Sequence, residues 1–197
     1  MHLNIELNFK IKDKDYTFRT LVPEDVSEYY INSLNENRKY IQNVPDIVSI
    51  TSQKEHIQKI LDSSDDVICG LFSGDTLIGT AGIQNLTGNR FIEIVDGYTS
   101  NCTIGIFVFL LHLGNGLGKT LVWLSCMLAH KCHEIQVFEA CMKKDNIFSL
   151  KSFLACGFHV IKENEVSHNV MLEFSHLIKP NLIENFSYKE IKDCTKL

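Results

Sequence analysis

The sequence has little proline and no long, uninterrupted apolar stretch. Three prolines and eleven glycines among 197 residues are too few for a collagen-like chain or for one dominated by linkers. The most apolar stretch, 103–129, is interrupted at 112–119 by a glycine-rich segment, so neither half provides the ~18 apolar residues that a membrane span requires. The first residues also lack the basic segment and the long apolar run of a secretory signal. We therefore expect no membrane association.

Excess positive charge and paired cysteine motifs are missing as well. Nineteen basic residues against 24 acidic ones give a net charge of −5, whereas nucleic-acid binders usually carry a basic surface. The seven cysteines are scattered and include no Cys-x-x-Cys pair, which is typical of a reduced, cytoplasmic protein. The histidines and cysteines match no common spacing of metal ligands. We expect a cytoplasmic protein with no nucleic-acid partner and no metal.

The composition is otherwise that of an ordinary folded domain. Hydrophobic residues make up 45% of the chain and charged residues 22%, close to the average for globular proteins. At ~150 residues per domain, the length favours a single domain. We place this domain at 1–176 and expect residues 177–197, with Pro180 and mixed charges, to form a C-terminal tail.

Strands and helices are predicted in an interleaved order, which favours a mixed α/β fold. Alternating or continuous apolar residues predict strands at 5–11, 16–20, 67–72, 76–83, 103–111, 135–142, 158–161 and 170–174. Helical spacing and capping residues predict helices at 23–37, 51–62, from the glycine-rich segment to 131, and 145–157. Residues 87–100 fit either a strand or a short helix.

The most informative segment is the glycine-rich loop between a predicted buried strand and a predicted helix. Gly114, Gly116 and Gly118 alternate with other residues just before the helix. Glycines let the backbone approach a ligand, and free N–H groups at a helix N-terminus attract phosphate. A nucleotide-binding P-loop requires glycine where Leu113 stands, and a dinucleotide fingerprint requires its third glycine one position later than 118. A tight connection without a ligand is another alternative.

The loop and its surroundings resemble the GNAT superfamily of acyl-CoA-dependent N-acetyltransferases. The GNAT pyrophosphate loop has the pattern Arg/Gln-x-x-Gly-x-Gly/Ala, which here begins with Leu113 and keeps both glycines. The motif residues recur in order as Ile106, Val108, Gly116, Gly118, Glu139, Ala140, Asn146, Ser149, Gly157 and Phe158. Segments near 21–25, 51–53 and 77–82 are more loosely similar to the branch of ribosomal-protein, polyamine and amino-sugar acetyltransferases.

This resemblance implies a fold and a cofactor. The GNAT fold is a mixed, mostly antiparallel sheet that splays in its middle and carries helices on both faces. Acetyl-CoA would be the co-substrate, with its pyrophosphate on the loop amides and its pantetheine arm along the main chain of the splayed strand. The residues implied to hold it are Phe107, Val108, Phe109, Gly114, Asn115, Gly116, Leu117, Gly118, Lys119, Asn146 and Phe153.

The resemblance also implies roles in acetyl transfer. The N–H group of Ile106 would lie at the thioester oxygen as an oxyanion donor, a contribution of ~3 kcal/mol. Two family positions differ, because Cys102 replaces an early-strand glutamate and Phe153 replaces the tyrosine that protonates the leaving thiolate. Glu139 is the best remaining general base, and Ser149 is an alternative proton donor. Structural roles for both residues, and proton loss through water, remain alternatives.

The acceptor is the least determined part of the prediction. We expect acetyl transfer to the primary amine of a small molecule or an amino sugar. The alternatives are N-terminal acetylation of a protein, as in the ribosomal-protein branch, and a non-catalytic module that binds acyl-CoA. His112 and the first helices, with Tyr29, Tyr30 and Asn35, would line the acceptor side or serve as structural anchors. An edge strand of such a sheet can pair between subunits to form a homodimer.

Overall fold

The computed structural model describes residues 4–41, 47–87 and 101–192, which form nine strands and four α-helices. The strands are β1 (Asn4–Ile11), β2 (Lys14–Thr20), β3 (Asp66–Ser73), β4 (Thr76–Gln84), β5 (Asn101–Val108), β6 (Val137–Lys143), β7 (His159–Glu163), β8 (Ser167–Glu173) and β9 (Ile183–Lys192). The helices are α1 (Glu28–Glu36), α2 (Ile50–Leu61), α3 (Leu117–His133) and α4 (Ile147–Leu154).

All nine strands belong to one sheet, in the order β7-β8-β6-β5-β4-β3-β2-β1-β9. Every described strand pair is antiparallel except β5 and β6, which run parallel. A parallel pair requires a crossover, and here α3 supplies it. The predicted mixed, mostly antiparallel sheet is confirmed. Residues 88–100, where the prediction was ambiguous, lie outside the described residues.

The helix starts differ from the sequence prediction because serine side chains cap them. The predicted first helix begins with a short 3-10 turn at Pro23–Asp25, and α1 starts only after Ser27, whose Oγ accepts a hydrogen bond from the Tyr30 N–H at 3.2 Å. α2 starts after Ser49 rather than at 51 or 52, because Ser49 Oγ accepts from the Ser52 N–H at 3.1 Å. Both serines satisfy N–H groups that the first helical turn leaves unpaired.

The helices cover the two faces of the sheet, and each face has its own apolar cluster. Buried residues of α3 and α4 pack with β1, β2, β4, β5, β6 and β8 in the larger cluster. Buried residues of α1 and α2 pack with β3 and β4 in the smaller one. α3 has ten buried residues out of 17, as its nearly all-round apolar sequence predicts. The helix therefore lies centrally beneath β4 and β5.

The C-terminal segment extends the sheet instead of lying outside it as a tail. β9 pairs antiparallel with β1 from Asn4↔Lys192 to Ile11↔Ile183. Ile183 is buried in the larger cluster, and Phe186 packs edge-on against Trp123 at 5.2 Å between ring centroids. The expectation of a peripheral tail from 177 is corrected here, because strand pairing with residues about 180 positions away is not visible as a local pattern.

The described residues include no helix long and apolar enough to cross a membrane.

Candidate active site

The sheet opens between β5 and β6, its two parallel strands. Their ladder ends at the pair Thr103↔Glu139. Beyond that pair, β5 stays on β4 as far as Val108, and β6 stays on β8 as far as Lys143. The two strands therefore diverge and leave a wedge-shaped opening in the middle of the sheet.

The main chain of β5 presents polar groups to this opening. Phe109 N–H donates to the Ile78 carbonyl at 3.0 Å, and these two residues are directly opposite in the register that pairs Gly79 with Val108. In an antiparallel pair, the residues that bond the neighbouring strand alternate with residues whose N–H and C=O groups point away from it. Ile106 and Val108 therefore direct their main-chain groups toward the opening, as the predicted roles of these residues require.

The main-chain groups of Phe107 and Phe109 do not face the opening, contrary to the prediction that they contact the cofactor. Both main-chain groups of Phe109 are occupied, since its carbonyl accepts the His112 N–H at 2.9 Å, and its side chain is fully buried against Tyr30. By the same alternation, the main chain of Phe107 faces β4. The prediction is corrected for both main chains, although Phe107 is among the residues that line the opening.

The glycine-rich loop ends at the N-terminus of α3, where it exposes N–H groups. Gly116 is the N-cap residue with φ of 77°, and no side chain caps the helix. The first intrahelical bond runs from Thr120 N–H to the Gly116 carbonyl at 3.2 Å, so the N–H groups of Leu117, Gly118 and Lys119 have no partner within the helix. Such a terminus binds anions, because these N–H groups and the helix dipole both favour negative charge.

Two of the glycines also permit close packing around the loop. A Cβ at Gly116 would lie 2.7 Å from Leu182 Cδ2, and a Cβ at Gly118 would collide with Ser152 Oγ. The contact at Gly118 lets the first turn of α3 approach α4, while the left-handed backbone at Gly116 turns the chain into the helix. The glycine pattern thus serves the packing of the loop as well as its N–H groups.

The opening and the loop form one continuous cleft of about 360 Å³. It brings together most of the predicted site residues: Ile106, Phe107, Val108, Gly114, Gly116, Leu117, Gly118, Lys119, Asn146 and Ser149. It does not include Phe109, Asn115, Glu139 or Phe153. It also includes residues that the sequence analysis missed or left open: Asn37, Tyr40, Leu110, His112, Phe148, Lys151 and Ser152.

Asn146 connects the cleft wall to the segment after α1. Its Oδ1 accepts the Ser149 N–H at 3.1 Å and so caps α4, and its Nδ2 donates to the Tyr40 carbonyl at 3.2 Å. Lys143 Nζ donates to the neighbouring Lys39 carbonyl at 2.8 Å. These two bonds hold the short 3-10 turn Arg38–Tyr40 across the mouth of the opening. No local sequence signal predicts them, because the partners lie over 100 residues apart.

The predicted base and the substituted tyrosine position lie outside the cleft lining. Glu139 is half-buried at the last rung between β5 and β6, so its role as a base stays a prediction. Burial and the neighbouring Glu139 raise the pKa of the Cys102 thiol, so the thiol stays protonated and does not replace the family glutamate as a base. Phe153 is 1% exposed and packs edge-on against Phe158. The expectation that Phe153 contacts the cofactor is therefore corrected, because the ring belongs to the core.

Tyr30 and Asn35, predicted to line the acceptor side or to act as anchors, are anchors. Tyr30 is buried and receives a hydrogen bond from Gln53 Nε2 at 3.1 Å, and burial raises its pKa to about 12. Asn35 bonds both main-chain groups of Val48 and so fixes α1 to the segment before α2.

His112 and Tyr29, by contrast, meet at the cleft. The Tyr29 hydroxyl lies 3.3 Å from His112 Nε2, and burial lowers the pKa of His112. This contact joins α1 to the turn before the glycine-rich loop, and His112 lines the cleft.

Comparisons with known proteins agree with this geometry. The family model of the acetyltransferase (GNAT) domain matches residues 15–159. The fold is similar to that of Mycobacterium smegmatis RimJ in complex with CoA-disulfide, with a TM-score of 0.71, 12% identity and coverage of 90% of this chain and 94% of that one. A search of curated proteins finds no match to this chain.

Two further solved structures have a similar fold. Spermidine N-acetyltransferase from Vibrio cholerae, in complex with CoA and spermine, has a TM-score of 0.67, 14% identity and coverage of 82% of this chain and 96% of that one. Ribosomal-protein-S5-alanine acetyltransferase from Vibrio fischeri has a TM-score of 0.68, 13% identity and coverage of 88% and 99%. At such low identities these likenesses establish the fold alone.

Proposed function

The chain belongs to the GNAT acetyltransferase family, and we propose that it transfers the acetyl group of acetyl-CoA to the primary amine of a small molecule or amino sugar. The observation that carries this proposal is the opening between β5 and β6, which exposes the main chain of Ile106 and Val108. The same cleft continues to the uncapped N-terminus of α3. A thioester and a phosphate group can therefore be held in one site.

The residues of the cleft fit acetyl-CoA at both ends of that molecule. The N–H groups of Leu117, Gly118 and Lys119 suit its pyrophosphate, and the ammonium groups of Lys119 and Lys151 add positive charge nearby. The main chain of Val108 suits the amide groups of an extended arm, which would add to β5 as a further strand. The solved structures of similar fold that carry CoA support this assignment.

Two residues are proposed to act on the reacting groups. The N–H group of Ile106 would donate to the thioester oxygen and stabilise the negative charge that develops there when the amine attacks. A fixed donor of this kind contributes about 3 kcal/mol, because the site does not have to reorganise during the reaction. Ser149 lines the same cleft, and its hydroxyl is proposed to supply a proton to the leaving thiolate in place of the family tyrosine, since Phe153 has no hydroxyl.

The amine must lose a proton before it attacks, and Glu139 is the predicted acceptor of that proton. Its position at the apex of the opening, on the last rung of the β5–β6 ladder, supports this role, although the carboxylate does not line the cleft. The substitution Glu139→Gln separates the alternatives: a base role predicts a lower kcat/KM with an altered pH profile. Unchanged kcat/KM at every pH would assign proton removal to water.

A titration of thermal stability with acetyl-CoA, CoA and ATP side by side tests the proposal. A ligand that binds only the folded state at a hundredfold excess over Kd stabilises that state by about 2.7 kcal/mol. We expect a rise in Tm with acetyl-CoA and CoA and none with ATP. A rise with ATP alone would support a nucleotide-binding loop, and binding of acetyl-CoA without turnover on any amine or protein N-terminus would support a non-catalytic module.

Cytoplasmic location and homodimer formation stay predictions.

A further inference from the structure

The acceptor amine has to approach β5 from one particular face of the sheet. Ile106 and Val108 direct their side chains to the cluster that contains α3, whereas Phe107 packs against the cluster that contains α1 and α2. The phosphate-binding end of the cleft is built by α3 and α4, on the first of these faces. The amine therefore has to approach from the opposite face of the sheet, on which the Phe107 side chain lies.

On that face, the cleft is lined by groups that carry no formal charge. Asn37 and Tyr40 line it from the end of α1 and the turn that follows, and Phe107 lines it from β5, next to the predicted oxyanion donor. We call these three residues the acceptor pocket. Aromatic rings bind an ammonium ion through their negative faces and also pack against an apolar carbon chain.

Two lysines lie beside the acceptor pocket. Lys39 Nζ lies 4.6 Å from the centroid of the Tyr40 ring, and Lys143 Nζ is held on the Lys39 carbonyl at 2.8 Å. Lys119 and Lys151 line the other part of the cleft, and the described lining contains no aspartate or glutamate. Since like charges in a partly desolvated cleft repel each other, a second ammonium group on the acceptor would be unfavourable.

Glu139 belongs to the same face, at the apex of the opening. Phe138, Ala140 and Met142 pack in the α3 cluster, so strand alternation directs Glu139 and Lys143 to the acceptor face. Glu139 can balance the single ammonium that approaches the thioester. Among the described residues, Glu139 thus offers a counter-charge to the one ammonium group at the thioester, whereas a second ammonium group would lie beside Lys39 and Lys143.

We propose that the acceptor is a monoamine with an uncharged, apolar body, that the rings of Tyr40 and Phe107 hold it, and that Lys39 and Lys143 reject polyamines. This inference rests on the proposed function and narrows it. The ammonium group first gives up one proton. The neutral nitrogen then forms the C–N bond while the C–S bond breaks, and the thiolate takes the second proton that the nitrogen sheds, which leaves an uncharged amide and free CoA.

The most direct test uses two acceptors that differ by one ammonium group, hexylamine and 1,6-diaminohexane, with spermidine alongside. With acetyl-CoA saturating, we expect kcat/KM for hexylamine to exceed that for diaminohexane at least tenfold, with spermidine lower still. Equal or higher kcat/KM for diaminohexane or spermidine would overturn the inference. Failure of the protein to acetylate hexylamine while it binds acetyl-CoA would also overturn it, whereas failure to bind acetyl-CoA would contradict the proposed function itself.

Matched variants assign the selectivity to the named residues. Tyr40→Ala should raise the KM for hexylamine about fivefold, as expected for loss of the aromatic surface that packs against the alkyl chain, and should leave the KM for acetyl-CoA unchanged. Tyr40→Phe retains the ring and should restore the hexylamine KM. Lys143→Met should narrow the preference for hexylamine over diaminohexane, whereas Lys14→Met, on the distant β1–β2 hairpin, should not. An unchanged preference in Lys143→Met would contradict rejection by charge.

Discussion

At the scale of single residues, the glycine-rich loop depends on the atoms that lie opposite each glycine. Gly118 lies so close to Ser152 of α4 that a methyl group at position 118 would displace the serine side chain. Gly82, on β4, faces open space. The same substitution should therefore have different consequences at these two positions.

Gly118→Ala should destabilise the protein by about 1–3 kcal/mol, the usual cost of an added methyl group in a packed site. It should also raise the Kd for acetyl-CoA, because α3 and α4 would be pushed apart at the loop. Urea unfolding and a binding titration measure the two effects. Adding Ser152→Ala should recover part of both losses, and Gly82→Ala should show neither. A fully stable Gly118→Ala with wild-type affinity would contradict the proposed packing.

Single residues also show which features of the site the local sequence can predict and which it cannot. The motif spacing identifies Ile106, Gly116 and Gly118, because these positions are set by a local strand, loop and helix. It cannot show that the main chain of Phe109 is already bonded to Ile78, or that Phe153 is a core ring. Those facts depend on which strand lies alongside and which side chain lies opposite, and neither is a property of the local sequence.

At the scale of secondary-structure elements, the turn Arg38–Tyr40 and strand β9 are the parts that the sequence did not reveal. The turn depends on Lys143 and Asn146 from the opposite wall of the cleft. β9 depends on its antiparallel pairing with β1. Both are polar or mixed segments whose partners are remote in sequence. The β3–β4 hairpin, by contrast, pairs two strands that follow each other directly in the chain, and it was predicted almost to its ends.

Because β9 closes one edge of the sheet, a chain that ends at the predicted domain boundary, residue 176, should be markedly less stable. The truncation removes the buried Ile183 and the partly buried Phe186 from the larger cluster, and full burial of a side chain of this size contributes about 1.5–3 kcal/mol. We expect the free energy of unfolding to fall by about 3 kcal/mol or more in urea titrations. A chain that ends at residue 192 serves as the control. Equal stability of the two chains would mean that β9 is dispensable.

At the scale of the whole molecule, two apolar clusters hold a sheet that is divided near its middle. The larger cluster keeps α3 against β4 and β5, and the smaller one keeps α1 and α2 on the other face. The opening between β5 and β6 is thus held apart by packing on both sides. The family motifs could predict this architecture, because they identify the strand, loop and helix that border the opening.

Partly buried histidines make the stability of the molecule depend on pH. Burial lowers the pKa of His112 and of His133 below the ordinary value of 6.5, so below that pH the unfolded chain binds protons more readily than the folded one. The free energy of unfolding should therefore fall as the pH drops from 7.5 to 5.5. His133→Gln should reduce this slope in urea titrations. A slope that His133→Gln leaves unchanged would contradict the assignment to His133.

The Ile106 N–H, which faces the opening, is proposed to stabilise the transition state. The most direct measurement replaces the amide of Ile106 by an ester, which removes that N–H and keeps the side chain, with the same replacement at Phe107 as the control. At Ile106 we expect kcat to fall about 100-fold, with Tm and the Kd for acetyl-CoA little changed. At Phe107, whose N–H faces β4, Tm should fall while kcat is retained. Wild-type kcat in the Ile106 ester would contradict the account.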